Sequence, residues 1–314
     1  MPVIQPEYAP IALFVYNRVD HTQQTVDHLR KNFLATQSDL FVFCDGARSQ
    51  DTDTVAAVRK YIYSISGFKS ITIIERDINV GLAASIVEGV SDVVNQYGSV
   101  IVLEDDLVTS PHFLTYMNTC LGKYENFPEV FSIAGWSPPT LTKVESEYSI
   151  AFLPRNCSWG WATWKDRWNT VDWDVSDYDE FKHSPLRQKE FNRGGVDLSN
   201  MLKAQMNGEI NSWAIVFCYS QFTQNKRTVF PLRSYVENIG CDGSGVHCDV
   251  EISQQPIESH ERELVLPEAV YEDESALALF AAFYRPAPFI IRAINKLART
   301  VIGKNIIRYE TTPS

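Results

Sequence analysis

The stretch VIVLEDDLVTSPHFL, Val100 to Leu114, decides how the chain is read. An apolar, β-branched run ends in three consecutive carboxylates, Glu104, Asp105 and Asp106. The run reads as a strand buried on both faces. Neighbouring carboxylates repel, and crowding raises their pKa values unless a cation or good donors compensate. Adjacent side chains on an extended backbone point to opposite sides, so the three acids need not share one task. The next helix is expected to be capped and opened by Ser110-Pro111, since Pro is tolerated at the first helical position. That start is too far along for the acids to cap it.

Upstream, the same switch from apolar to charged recurs. Ile11–Tyr16, Leu40–Cys44 and Ser70–Glu75 are further apolar runs. They end in Asn17-Arg18, in Asp45-Gly46-Ala47-Arg48 and in Arg76-Asp77. Between the runs lie helical patterns at Asp20–Phe33, with Asp20 as N-cap, and at Val55–Ile65 and Leu82–Val94. Alternating strands and helices predict an α/β fold with a mostly parallel central sheet and right-handed crossovers. Ligands bind such sheets at the carboxyl ends of the strands, where these polar groups converge.

Residues 136 to 235 are different. SWGWATWKDRW places Trp159, Trp161, Trp164 and Trp168 within ten residues. These rings suit either stacking on a sugar face or anchoring a core. Helices are expected at Val196–Asn207 and Ser212–Gln224, and strands at Thr228–Phe230 and Ser234–Glu237. CDGSGVHCD, from Cys241, reads as a glycine-containing loop. Glu268 to Phe283 reads as a helix.

Composition narrows the function. The chain has 314 residues, is 45% hydrophobic and carries a net charge of −11. It can bury a core, and its charge opposes a general nucleic-acid partner. Its six cysteines form no CxxC pair and read as buried thiols. MPVIQPEYAP has no basic n-region and no long apolar stretch, and no run is long enough to span a membrane, so a cytoplasmic setting is expected.

GxGxxG, the Walker A loop, HExxH and GxSxG are all absent. What remains is an acidic cluster after a middle strand. Hard oxygen ligands there suit Mn2+ or Mg2+, completed by substrate phosphates and water. Such an ion would bridge a diphosphate and stabilise it as a leaving group.

The order YNR, CDG, NVGL and EDD at successive strand ends resembles a GT-A-fold glycosyltransferase. With WGWATW, NSWA and NIGCDGSGVH, the chain is similar over residues 10 to 250 to bacterial sugar transferases related to the N-acetylglucosaminyltransferase I family. The resemblance implies that Arg18 and Asp45 recognise the uridine nucleotide, and that Glu104 and Asp105 contact donor sugar and ribose. It implies that Asp106 is the single protein ligand of the metal. Asn17, Gly46, Arg76, Asn79 and Gly81 join the donor side, and Ser244 and His247 lie in a loop expected to close over the diphosphate. Trp159, Trp161 and Trp213 are expected on the acceptor side. The family's base is an aspartate just before a tryptophan. Asn211 stands there and cannot take a proton, so Asp242 is the acidic group preferred for that role.

The activity implied is metal-dependent transfer of a sugar, with GlcNAc as one option, from a UDP-sugar to a saccharide or lipid-linked saccharide. Inversion and a place in surface polysaccharide synthesis are expected. A sugar-nucleotide nucleotidyltransferase and a non-catalytic sugar-binding protein are the alternatives. The expected layout is a GT-A domain over residues 1–265, split near 135 into nucleotide-sugar and acceptor halves, then a helical tail over 266–314. From Arg285 to Arg308 the tail has six basic residues and no acidic one. Ile290, Ala293, Ile294, Leu297, Val301 and Ile302 form an apolar stripe opposite Arg292, Lys296 and Arg299. A basic amphipathic helix over 286–308 suits either peripheral contact with the inner face of the membrane or packing on protein.

Overall fold

The structure is a computed structural model that describes residues 7–240, 253–260 and 262–285. It has mixed α/β architecture, with a large, mostly parallel central sheet flanked by helices. The chain first alternates β1 (Ile11–Val15), α1 (Val19–Arg30), β2 (Asp39–Cys44), α2 (Thr52–Ile62), β3 (Ser70–Glu75), α3 (Leu82–Tyr97) and β4 (Ser99–Glu104). These strands lie in the order β3-β2-β1-β4, all parallel. β1 is central because all five of its residues, IALFV, are apolar and buried. β3 differs from the expected two-sided burial: as the edge strand it alternates exposed and half-buried residues. Neither helix start follows its expected cap. α1 opens with Arg18 at its N-cap and no side-chain cap, so Asp20 lies inside its first turn.

The second half continues with β5 (Leu107–Thr109), α4 (Phe113–Tyr124), β6 (Val130–Ala134), β7 (Ile150–Leu153) and β8 (Trp161–Trp164). α4 starts two residues beyond Pro111, and Ser110 Oγ accepts the His112 N–H rather than capping a helix. The helices α5 (Lys165–Trp168), α6 (Tyr178–Lys182), α7 (Pro185–Phe191), α8 (Leu198–Met206) and α9 (Trp213–Thr223) follow. β9 (Arg227–Pro231), β10 (Val236–Asn238) and α10 (Glu274–Phe283) complete the described elements. The sheet extends as β4-β8-β6-β9-β7, with β8 antiparallel to both its neighbours and β7 antiparallel to β9. β6, β7 and β8 lie in a stretch for which the sequence predicts no strand.

Alternation along the strands builds two cores. Ile11, Leu13 and Val15 join Val42, Leu103, Leu114 and Met117 on one face. Ala12 and Phe14 join Phe43, Val90, Val102 and Trp161 on the other. Phe14 and Phe43 stack with ring centroids 4.9 Å apart, and Gly89 of α3 lies over them where a Cβ would come within 2.8 Å of Phe14. α10 packs Ala276, Leu277 and Phe280 against Ala134, Leu141, Leu153 and Phe230.

Registry then positions the site. Val15 pairs with Cys44, Cys44 with Glu75, and Phe14 with Glu104. The four parallel strands therefore end at one edge, level to within a residue. β8 begins at that edge, because Trp161 pairs with Val102, and β6 ends there, because Ala134 pairs with Trp161.

Candidate active site

The edge is organised around Arg18. Its Nη2 donates to Asp105 Oδ1 at 2.5 Å and to Asp106 Oδ2 at 2.8 Å. Asp105 and Asp106 form a turn between β4 and β5 rather than continuing the strand. That is why both reach one nitrogen instead of facing opposite sides. Thr25 of α1 fixes the turn: its hydroxyl donates to the Asp105 carbonyl at 2.8 Å and accepts the Leu107 N–H at 3.1 Å. The compensating charge that the three acids require is thus partly supplied from within the chain.

Burial dominates the electrostatics. Desolvation, then Asp106 and Asp105, push the Glu104 carboxyl up to about 8. Desolvation also pushes Asp105 up to about 6, against the pull of Arg18. Arg18 is held above its ordinary value: burial works against its charge, and the two aspartates outweigh it.

Asp45 and the segment Asn79–Gly81 form a second unit. Asp45 Oδ1 accepts the N–H groups of Gly46 and Val80 at 2.9 and 3.1 Å, and Oδ2 accepts that of Gly81 at 2.9 Å. Asn79 returns a bond to the Gly46 carbonyl at 2.9 Å. A Cβ on Gly46 would lie 2.2 Å from the carbonyl carbon of Ile78, so only glycine permits this approach. Gly81 takes φ +81° at the N-cap of α3, in the left-handed region. Asn17 donates to Asp51 at 3.3 Å, and the Tyr16 hydroxyl donates to the same carboxylate at 2.7 Å. Arg76 pairs with Glu88 at 2.6 Å, on the flank of α3.

On the other side, Asn238 of β10 pairs with Leu107 of β5, and the Ile239 N–H reaches the Asp106 carbonyl at 2.9 Å. Gly240 lies so close that a Cβ would meet Asp106 Oδ2 at 2.1 Å. The chain entering CDGSGVH therefore starts against Asp106. Asp242, Ser244 and His247 lie outside the described residues, as does the segment 286–308.

Among the described residues no group of three or more His, Cys, Asp or Glu side chains could hold a metal. Asp105 Oδ1 and Asp106 Oδ2 nevertheless converge on one positive nitrogen. Of the two, the Asp106 oxygen is a hard donor of the kind that suits a divalent cation taking its remaining ligands from substrate and water.

No protein-family model and no curated protein matches the chain. Among solved structures it is similar to the mannosyltransferase PcManGT from Pyrobaculum calidifontis, in complex with GDP-Man and Mn2+. That match has 13% identity and a TM-score of 0.42, and covers 71% of each chain. It is also similar to S. aureus TarS, at 11% identity and a TM-score of 0.39, covering 72% of this chain and 36% of TarS. The chain thus spans about a third of TarS. Likeness this distant assigns neither substrate nor metal, and the strand-end residues have to carry the function.

The expected acceptor residues part company. Trp161 and Trp213 are 1% and 6% exposed and stack on each other at 4.8 Å. They are core residues with no face to offer a ligand. Trp159 is half-buried and meets Trp136 edge-on at 4.8 Å. It precedes Gly160, which approaches Leu103, so it stands at the strand edge that carries Glu104. Asn211 is exposed on the loop before α9, which Ser212 caps by accepting the Ile215 N–H.

Four residues of the site escaped the sequence reading. Tyr16 and Asp51 brace Asn17, Thr25 holds the acidic turn, and Gly240 packs on Asp106. Only Gly240 had a signal, the glycine leading into CDG; Asp51 stands at the N-cap of α2 and Thr25 on α1, and no local pattern reveals how either packs.

Proposed function

We propose that the chain is a metal-dependent glycosyltransferase that moves a sugar from a UDP-sugar to a saccharide or lipid-linked saccharide, with inversion. Its place is surface polysaccharide synthesis at the inner face of the cell membrane, with residues 286–308 as the membrane contact. The observation that carries this reading is the convergence of Arg18, Glu104, Asp105, Asp106 and Gly240 at one sheet edge, beside the Asp45–Gly81 clasp.

In this reading Asp106 holds Mn2+ or Mg2+ beside the diphosphate. The ion, when bound, neutralises charge developing on the leaving group. The chain does the rest. Asp45 holds the loop that shapes the nucleotide end. Glu104 and Asp105 accept hydrogen bonds from donor-sugar and ribose hydroxyls. Trp159 offers an apolar face to the acceptor, and Asp242, two residues beyond Gly240, takes the proton of the attacking hydroxyl. General-base assistance of this kind contributes about a hundred- to ten-thousandfold.

UDP release from a panel of UDP-sugars, with and without Mn2+, tests the proposal. The parent should release UDP in a metal-dependent way. Asp106→Ala should lose on the order of a thousandfold, since the metal contributes several kcal/mol. Undiminished uptake of UDP and Mn2+ by Asp106→Ala, measured by calorimetry, would overturn it.

A further inference from the structure

We propose that Arg18 is a built-in counter-cation that must leave Asp106 before a divalent ion enters, so that the site takes its ion together with the nucleotide and not ahead of it. The inference rests on the functional reading above. Arg18 Nη2 sits 2.5 Å from Asp105 Oδ1 and 2.8 Å from Asp106 Oδ2, on the oxygens an ion would need. A small hard cation binds oxygen at about 2.0–2.1 Å. An ion on Asp106 Oδ2 would therefore crowd a guanidinium nitrogen hydrogen-bonded to the same atom, and like charges at such range repel strongly. Arginine cannot give up its proton to make room. Relief requires the side chain to move.

Movement needs new partners. The Arg18 side chain is only 20% exposed, so water replaces a lost carboxylate poorly. Its Nη1 is buried and has no hydrogen-bond partner. A bare ion offers that fork nothing. A diphosphate offers several oxygens in a geometry that a planar guanidinium can grip bidentately. The nucleotide thus supplies acceptors for Nη1 and for the Nη2 released from Asp106, while the ion replaces Arg18 on the carboxylate. Arg18 acts in this as a positioning residue.

Titrating the full chain with Mn2+, followed by electron paramagnetic resonance with and without UDP, tests the exchange. The parent should bind Mn2+ alone weakly, and UDP should improve that binding more than about tenfold. Arg18→Gln should bind Mn2+ alone about tenfold or more tighter than the parent and lose most of the gain from UDP. Arg18→Lys, which keeps the charge but not the fork, should fall between. Equal affinity of parent and Arg18→Gln for Mn2+ alone, with UDP still helping both, removes the guard role and leaves the functional reading intact. Failure of both to bind Mn2+ even with UDP removes that reading and the inference with it. A thermal melt verifies that Arg18→Gln is folded; if it is not, Arg18→Lys decides, and its equality with the parent overturns the proposal.

Discussion

The two halves of the central sheet divide the labour. The β3-β2-β1-β4 half ends its strands in ions and in side-chain bonds to backbone, as Arg18, Asp45 and Asn79 show. The β8-β6-β9 half surrounds its strands with rings: Trp161 stacks on Trp213 and Trp168, and Phe131 meets Phe217 at 4.7 Å. Charged groups crowded at one edge cost stability, because burial disfavours them unless each finds a partner. The aromatic half offsets that cost. Ionic contacts and ring packing are thus concentrated on different strands of one sheet, so they should respond to different substitutions.

The largest effect on cohesion is expected at Trp161. The ring is 1% exposed, and its indole N–H has no hydrogen-bond partner, so packing alone holds it. Trp161→Ala should cost about 3–5 kcal/mol in urea unfolding. The protein that remains folded should bind Mn2+ and UDP as the parent does. A parallel loss of nucleotide affinity per folded molecule would show that the division is wrong.

The same contrast explains what was readable in the sequence. In the first half β1, β2 and β3 pair in chain order and β4 returns beside β1, with a helix between successive strands, so apolar runs ending in polar groups mark β1 to β4 within a residue or so. Glu104, Asp105, Asp106, Arg18 and Asp45 came with them, because each sits at the end of such a run. The second half interleaves strands out of order. β8 is inserted between β4 and β6 by long-range pairing, and no local pattern records that. WATW suits either a sugar-stacking cluster or a core anchor in the sequence, because the large rings of Trp159, Trp161, Trp164 and Trp168 mask its period. Once β8 is a strand inside the sheet, Trp161 has to face the core. The helix expected from Glu268 begins only at Glu274, where Asp273 caps it by accepting the Ser275 and Ala276 N–H groups.

A smaller effect should follow from Gly46→Ala. The new methyl group would collide with backbone at Ile78 and Asn79, and backbone yields less readily than a side-chain tip. Forcing extra volume into a packed site costs about 1–3 kcal/mol. Here the strain falls on the clasp that joins Asp45 to Gly81, so nucleotide binding should weaken as well as stability. Trp161→Ala and Gly46→Ala then differ in kind: the first lowers only the unfolding midpoint, the second lowers UDP affinity too. Unchanged UDP affinity in folded Gly46→Ala would mean that the clasp does not shape the nucleotide end.

A third contrast lies in pH dependence, and its sign separates the halves most cleanly. Glu104 is raised from 4.5 to about 8, first by burial and then by Asp106 and Asp105, and Asp105 is raised from 3.8 to about 6. Between the unfolded and folded values the native state holds a proton that the unfolded chain has released. These two groups therefore contribute most stability below about pH 4, and their contribution falls as pH rises, through about 6 for Asp105 and about 8 for Glu104. Glu104→Gln removes the upper part of that slope. Its melting temperature should match the parent near pH 5 and exceed it increasingly towards pH 8. Mn2+ with UDP should flatten the parent's slope, because a cation favours the ionised carboxylates. Trp161→Ala, which changes no charge, should lower the melting temperature by a similar amount at every pH. If the parent and Glu104→Gln curves run parallel from pH 5 to 8, Glu104 is not proton-bearing at this edge, and the electrostatic cost assigned to the β3-β2-β1-β4 half has to be sought elsewhere.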